Sequence, residues 1–389
     1  MPYEIRLDAP PAGYALESAT EEGQTVRVAV REFTSSEDGE LFVSRLEGIP
    51  QQLLSLIPTG NRVQPSMVDH LVAIIRKDLT VTVYLNECET YAQIRVARKV
   101  EAGEPILEDD VVDINRFSFE GVEFPVDAGV VCVFSSGWRK GFFFDIEPLL
   151  KDGPDRKYEV EELLGSYLAY LDNQQLFSLS ESDWDFLIER GWFPFITLPK
   201  RCTGSLVGFT KSRVDLDVML PQVVEAVEAS VPAFHERWGT SELIRPHRDL
   251  LLHALDEFEE GDYVSCASIV YPRIEGILRS IHEALGEKEH ATQQVLARMS
   301  TEVRKEDLHS NSWLLPTKFR RFMEESYFAN FAPGQPAKFS RNSVGHGVVT
   351  AEQFNEKAAC LGLLLVDQLF FYLPTSDASS SNIYNSHHD

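Results

Sequence analysis

The spacing of apolar residues changes period once along this chain, near residue 155, and that change limits the possible folds more than any other feature. Between Tyr3 and about Leu150, short runs rich in Val, Ile, Phe and Tyr (TVRVAVREF, LVAIIRKDLTVTVYL, AQIRVARKV, GVVCVFSSGW) are separated by Gly, Pro, Asp and Asn clusters. This is the pattern of short strands joined by turns. In Thr25-Val26-Arg27-Val28-Ala29-Val30-Arg31 the residues alternate, so a strand with valines inward and arginines outward is expected. Residues 1–153 therefore read as an antiparallel β domain, a barrel or sandwich, with no internal repeat and no catalytic motif. Its role is taken as accessory or sensory.

Over residues 154–239 the pattern becomes mainly helical and is read as a connector. Val160, Leu163, Leu164, Tyr167 and Tyr170 form one stripe, and Ser180 with Asp183 forms a capping box ahead of Trp184, Phe186, Leu187 and Ile188. Gly191 supplies a stop, Trp192 to Thr210 is expected to be a strand or irregular loop, and Val218 to Trp238 another helix. Residues 240–374 then predict a bundle of about five helices: Leu250 to Phe258, Tyr263 to Leu285, Ala291 to Arg304, Pro316 to Phe328, and a last one after a Thr350–Gln353 capping box. The last helix is apolar at Phe354, Ala358, Leu361, Leu365 and Leu369. The loop 332–336 contains two prolines that forbid helix continuation, and the Ser-, Asn- and Asp-rich tail 375–389 is expected to be disordered. The fold class is α+β.

The formal charge of -25 argues against broad electrostatic adhesion to nucleic acid or to an anionic membrane, so any polyanion must be held locally. Five cysteines without paired spacing suggest neither a disulfide framework nor a zinc site, and a reducing cytoplasmic setting fits them. No export signal, no membrane span, no metal and no cofactor are expected; His387 and His388 beside Asp389 are read as inert.

One short stretch concentrates chemistry: Arg341-Asn342-Ser343-Val344-Gly345-His346-Gly347, placed just before the closing helix. Arg341 is a permanent planar cation suited to phosphate, and His346 can take and give a proton near neutrality. The glycines are read as letting backbone approach a ligand closely. From Ser312 to Thr350 the cations Lys318, Arg320, Arg321, Lys338 and Arg341 outnumber Glu324 and Glu325, a local surplus of three within an acidic chain. Phe319, Phe322, Tyr327, Phe328 and Phe331 are interleaved, available either for base stacking or for a helical core.

Arg341-Asn342, three residues, then His346-Gly347, together with the upstream segment EFEEGDYVSCASIVYPRIEGILR from Glu257 to Arg279, resembles the HEPN family (higher eukaryote and prokaryote nucleotide-binding domain) over about residues 240–374. The resemblance implies a metal-independent endoribonuclease of the abortive-infection or toxin type. It would be a homodimer whose two motifs face one another and cut cellular RNA in phage defence or stress. Arg341, Asn342 and His346 would be catalytic: His346 as general base or acid, Arg341 stabilising charge on phosphorus, Asn342 orienting the phosphate or the imidazole. Lys318, Arg320, Arg321, Lys338 and Gly347 would contact substrate. Glu275 and Arg279 would support the site, as a helix ion pair and with Glu275 reaching Arg341. A trigger ligand or phage protein would act on the N-terminal domain. Two other readings stay open: a non-catalytic HEPN adaptor for nucleotides or proteins, and a dimerisation bundle.

Overall fold

In the computed structural model the described residues are 2–58, 63–242, 244–302, 309–332 and 337–372. The 375–389 tail, residues 333–336 of the proline loop and the end of the helix expected to reach Arg304 lie outside them. The chain forms two compact units, residues 1–94 with 114–174, and residues 95–113 with 175–389. An N-terminal antiparallel sheet region is followed by a helical C-terminal region, as the change of period predicts.

The first unit contains β1 (Tyr3–Arg6), β2 (Tyr14–Ala15), β3 (Val28–Ala29), β4 (Arg31–Ser35), α1 (Glu40–Leu46), α2 (Ile49–Leu56), β5 (Leu71–Ile75) and β6 (Thr80–Leu85). The paired strands β7 (Thr90–Val96) and β8 (Val111–Phe119) carry the chain out and back, and β9 (Gly129–Ser136), β10 (Arg139–Asp145) and α3 (Val160–Asp172) complete it. Six strands make one antiparallel sheet in the order β1-β6-β5-β9-β10-β4. This corrects the barrel-or-sandwich expectation: the sheet is open, and helices cover it. Phe42, Leu46, Leu53 and Leu54 of α1 and α2 bury Val131, Val133, Phe142 and Phe144 on one face. On the other, Tyr167 of α3 stacks on Phe33 with ring centroids 3.9 Å apart and packs on Phe143. Because central strands are covered twice, Leu71–Ile75 and Val130–Phe134 are buried without interruption, and their continuous apolar runs follow.

Thr25–Arg31 is not one strand. Val28–Ala29 pairs only with Tyr14–Ala15, Val28 is exposed, and the sheet edge begins at Arg31. Alternation shows which residues share a face but not where a partner strand ends.

The short α4 (Gln174–Phe177) begins at the boundary, and the second unit continues as α5 (Glu181–Glu189), α6 (Lys200–Lys211), α7 (Leu220–Thr240), α8 (Arg248–Glu259), α9 (Tyr263–Ala284), α10 (Gln293–Glu302), α11 (Pro316–Phe322), α12 (Arg341–Gly345) and α13 (Glu356–Phe370). The segment read as a connector thus divides: α3 belongs with the sheet, and α5–α7 share the core of the bundle. The Ser180–Asp183 capping box forms as expected. The strand or loop expected before Thr210 is partly the helix α6, whose Gly204 and Gly208 hide its helical period while Cys202, Leu206 and Val207 are buried. At the other end, Thr350 donates its backbone N–H to the Gln353 side chain, but the turn so capped is a single 3-10 turn. The helix proper starts at Glu356, with Asn355 accepting from the Ala358 N–H.

Helix α13 is buried from Ala358 through Leu369, polar residues included. Asp367 accepts from Thr197 Oγ1 at 2.5 Å and from Trp238 Nε1 at 3.3 Å and pairs with Arg237, while Gln368 accepts from the Ile196 N–H at 3.0 Å. These bonds fix the register of the helix against the 195–197 segment and α7. Among the described residues no helix is long and apolar enough to cross a membrane.

Gly165 of α3 lies against backbone: a Cβ there would sit 2.7 Å from Arg116 Cα. Gly165→Ala is expected to lower stability by about 1–3 kcal/mol in thermal or denaturant unfolding. Gly204→Ala, which meets nothing within 4 Å, is expected to leave stability equal or raised; equal unfolding midpoints for Gly165→Ala and the parent would contradict the packing.

Candidate functional site

The Arg341–His346 motif forms its own one-turn helix, α12, rather than a turn. Ser340 and Ser343 cap it reciprocally: the Ser340 N–H donates to Ser343 Oγ at 2.9 Å and the Ser343 N–H to Ser340 Oγ at 3.2 Å. Each hydroxyl also donates to a backbone carbonyl, Ser340 to Ala329 at 2.9 Å and Ser343 to Lys338 at 2.7 Å. At the far end the Gly347 N–H donates to Val344 O and the Val348 N–H to Ser343 O, both at 3.1 Å, with Gly347 at φ +67°. That is a Schellman closure, which needs a left-handed residue. Gly347, expected to contact substrate, is therefore required by the end of the helix. Gly345 makes room in a different way: a Cβ there would lie 3.3 Å from Arg341 Nη1, so the guanidinium rests over the glycine.

Helix α9 supplies the anchor. Glu275, 5% exposed, pairs through Oε2 with Nε of Arg341, while its Oε1 accepts from Arg279 Nε at 2.9 Å and Nη2 at 2.6 Å. One buried carboxylate thus lies between two guanidiniums, as the spacing of Glu275 and Arg279 and the expected reach to Arg341 require. Arg341 keeps 30% of its side chain exposed. Tyr327 lies close by; burial pushes its phenol well up and the Glu275 charge adds to that.

Asn342 turns inward, its Oδ1 also accepting from Arg341 Nη1 at 3.5 Å. It is buried, and its Nδ2 donates to Phe328 O at 2.9 Å, Gln293 Oε1 at 3.1 Å and Asn330 Oδ1 at 3.2 Å, while its Oδ1 accepts from Gln293 Nε2 at 2.6 Å. An amide engaged on both atoms has nothing left for a phosphate. The expectation that Asn342 is catalytic is corrected: it is a positioning residue that ties α12 to α10 and to the chain after α11. Gln293, absent from the sequence reading, is its partner, and nothing in local spacing could have paired residues 49 apart.

His346 is exposed at the C-cap of α12, its ring edge-on to Phe331 at 5.5 Å between centroids. Among the described residues no hydrogen bond or ion pair engages the imidazole.

The cationic surplus along the sequence does not survive folding. Lys318 pairs with Glu181 at 2.5 Å, Arg320 with Glu324 at 3.0 Å, and Arg321 with Glu325 at 2.9 Å and also with Asp185. Two of those acids come from α5, which sequence distance concealed. These three side chains form a compensated surface rather than an open phosphate track, which corrects their assignment to substrate. Lys338 has no ion-pair partner among the described residues and stands beside a different cavity. Phe319, Phe322, Tyr327 and Phe328 are core, so only Phe331 meets the motif's exposed side.

A further His and carboxylate group, His235, Asp256 and Glu259 on α7 and α8, brings potential ligand atoms within 4.8 Å, with both carboxylates exposed. It shares no residue with the α12 site. No known family profile, no curated protein and no solved structure matches this chain.

Asn342→Ala strands the Gln293 amide and the Phe328 carbonyl and is expected to cost about 2–3 kcal/mol of stability. His346→Ala, which removes only an exposed ring, should stay within about 0.5 kcal/mol. Denaturant unfolding of the two variants distinguishes these roles; equal and small effects would mean Asn342 is not the pin.

Proposed function

We propose that the helical unit is a metal-independent endoribonuclease of HEPN type. It would work as a cytoplasmic homodimer in phage defence or a stress response, with the N-terminal unit holding it in check until a trigger ligand or phage protein arrives. The observation that supports this best is the division of labour within α12: Asn342 and Ser343 are buried and bonded, while Arg341 stays part-exposed and His346 exposed at opposite ends of one turn. A structural turn has no use for a fixed, half-open guanidinium and an unengaged imidazole on the same surface.

RNA carries its own nucleophile. In the proposed reaction one imidazole removes the 2′-hydroxyl proton, the 2′ oxygen attacks phosphorus, and the 5′ oxygen leaves with a proton from a second, protonated imidazole. The bond to the 5′ oxygen breaks as the bond to the 2′ oxygen forms, and a 2′,3′-cyclic phosphate results. Arg341 stabilises the negative charge gathered on the phosphate, and its pairing with Glu275 holds it before substrate arrives. A two-fold axis would supply the second His346.

A second reading, a nucleotide- or protein-binding adaptor that cuts nothing, draws support from the compensated cations of α11 and the net charge of -25. Incubation of the purified chain with total RNA in EDTA separates the two. The nuclease reading expects cutting that falls at least about a hundredfold in both Arg341→Ala and His346→Ala, with dimerisation and unfolding midpoint retained for His346→Ala. Undiminished cutting by both variants overturns it, and an inert parent chain that is harmless on overproduction favours the adaptor.

A further inference from the structure

Behind the Arg341 site, between α9, α11 and α13, the helical unit contains a cavity of about 300 Å³ that the proposed chemistry does not use. Its inner wall is apolar: Phe322, Leu361 and Leu365 are each at most 7% exposed. Tyr271 and Phe339 add aromatic surface, edge to face at 4.8 Å.

Two features of this wall are unexplained by folding alone. Tyr271 is 5% exposed, and its hydroxyl makes no hydrogen bond among the described residues, although the neighbouring Tyr327 hydroxyl donates to the Tyr271 carbonyl at 2.7 Å. The hydroxyl is accessible from the cavity and has no protein acceptor among the described residues, so it is a donor free for an occupant. Five charged residues line the rim, and four cancel: Lys357 pairs with Asp217 at 2.5 Å, and Arg190 lies 4.0 Å from Glu189. Lys338 alone is exposed without a carboxylate partner among the described residues. An apolar slot, a waiting hydroxyl donor and one uncompensated ammonium define a complementary ligand: flat, apolar, and carrying a single anionic acceptor group.

We infer that this cavity is a binding site for a small aromatic carboxylate, its rings between Tyr271 and the α13 leucines and its charge toward Lys338. Phe339 immediately precedes Ser340, the cap of α12, so an occupant would touch the segment leading into the motif.

Binding here is independent of RNA cleavage, and the test contains no RNA. Titration of the full chain with naphthalene-2-carboxylate, followed by calorimetry, is expected to give one saturable site per chain. Lys338→Glu should weaken it about tenfold or more, and uncharged 2-naphthamide should bind the parent about tenfold less tightly. Tyr271→Phe should weaken the carboxylate several-fold while leaving the ligand-free unfolding midpoint unchanged or raised, because the hydroxyl it removes bonds no protein group among the described residues. Absence of saturable binding, or equal affinity in parent, Lys338→Glu and Tyr271→Phe, overturns the assignment. A lowered midpoint in ligand-free Tyr271→Phe does so as well, since it would show that the hydroxyl already has a partner. Lys338 is on the surface, so its variant remains informative even if Tyr271→Phe folds poorly.

Discussion

Glu275 holds the site together because a carboxylate buried to that degree cannot remain charged without compensation. Desolvating it costs several kcal/mol by itself, and only nearby cations with good geometry recover that cost. Arg279, on the same face of α9, provides one guanidinium, and Arg341 reaches across from α12 to provide the other. The consequence is directional. Arg341 is held by Nε, its Nη1 lies over Gly345 and donates to Asn342 Oδ1 at 3.5 Å, and its Nη2 has no hydrogen bond or ion pair among the described residues. A substrate phosphate would meet a guanidinium already oriented, with less side-chain entropy left to lose on binding.

The rest of the bundle serves to hold α9 and α12 in register. Asn342 and Gln293 exchange amide bonds between α12 and α10, and the two serines close the helix start onto Ala329 and Lys338. Beyond them α13 is clamped by Asp367 and Gln368, two polar residues buried in an apolar helix, the first bonded to α7 and Thr197 and the second accepting from the Ile196 N–H. Helix α11 runs into a π turn at Met323–Tyr327, which brings the Phe328 carbonyl to the Asn342 amide. π turns concentrate where a helix must present one group off its regular phase.

Periodicity carried much of the fold. Helices at Arg248–Glu259, Tyr263–Ala284 and Glu356–Phe370 follow from apolar spacing, and so does the N-terminal sheet. What it could not carry was partnership. Alternation at 25–31 suggested one strand where the chain instead pairs in two places, Val28–Ala29 with Tyr14–Ala15 and Arg31 with Asp145, and glycines concealed α6. The open sheet looked like a barrel because a strand buried by helices and one buried by another sheet have the same composition. The site shows the same limit. The types and order of Arg341 and His346, and the i,i+4 pair Glu275 and Arg279, were visible in sequence. The inward turn of Asn342 and the neutralisation of Lys318 and Arg321 by α5 depend on residues far apart in the chain, and local reading misassigned them.

The central claim is that Arg341 and His346 promote attack by the ribose itself, and the ends of the cleaved RNA report on it directly. With a defined oligoribonucleotide in EDTA, mass spectrometry of the fragments should show 2′,3′-cyclic phosphate and 5′-hydroxyl ends. An oligonucleotide with a single 2′-deoxy residue at the cleaved position should remain whole. Fragments bearing 5′-phosphates, or cleavage at the 2′-deoxy position, would contradict the account.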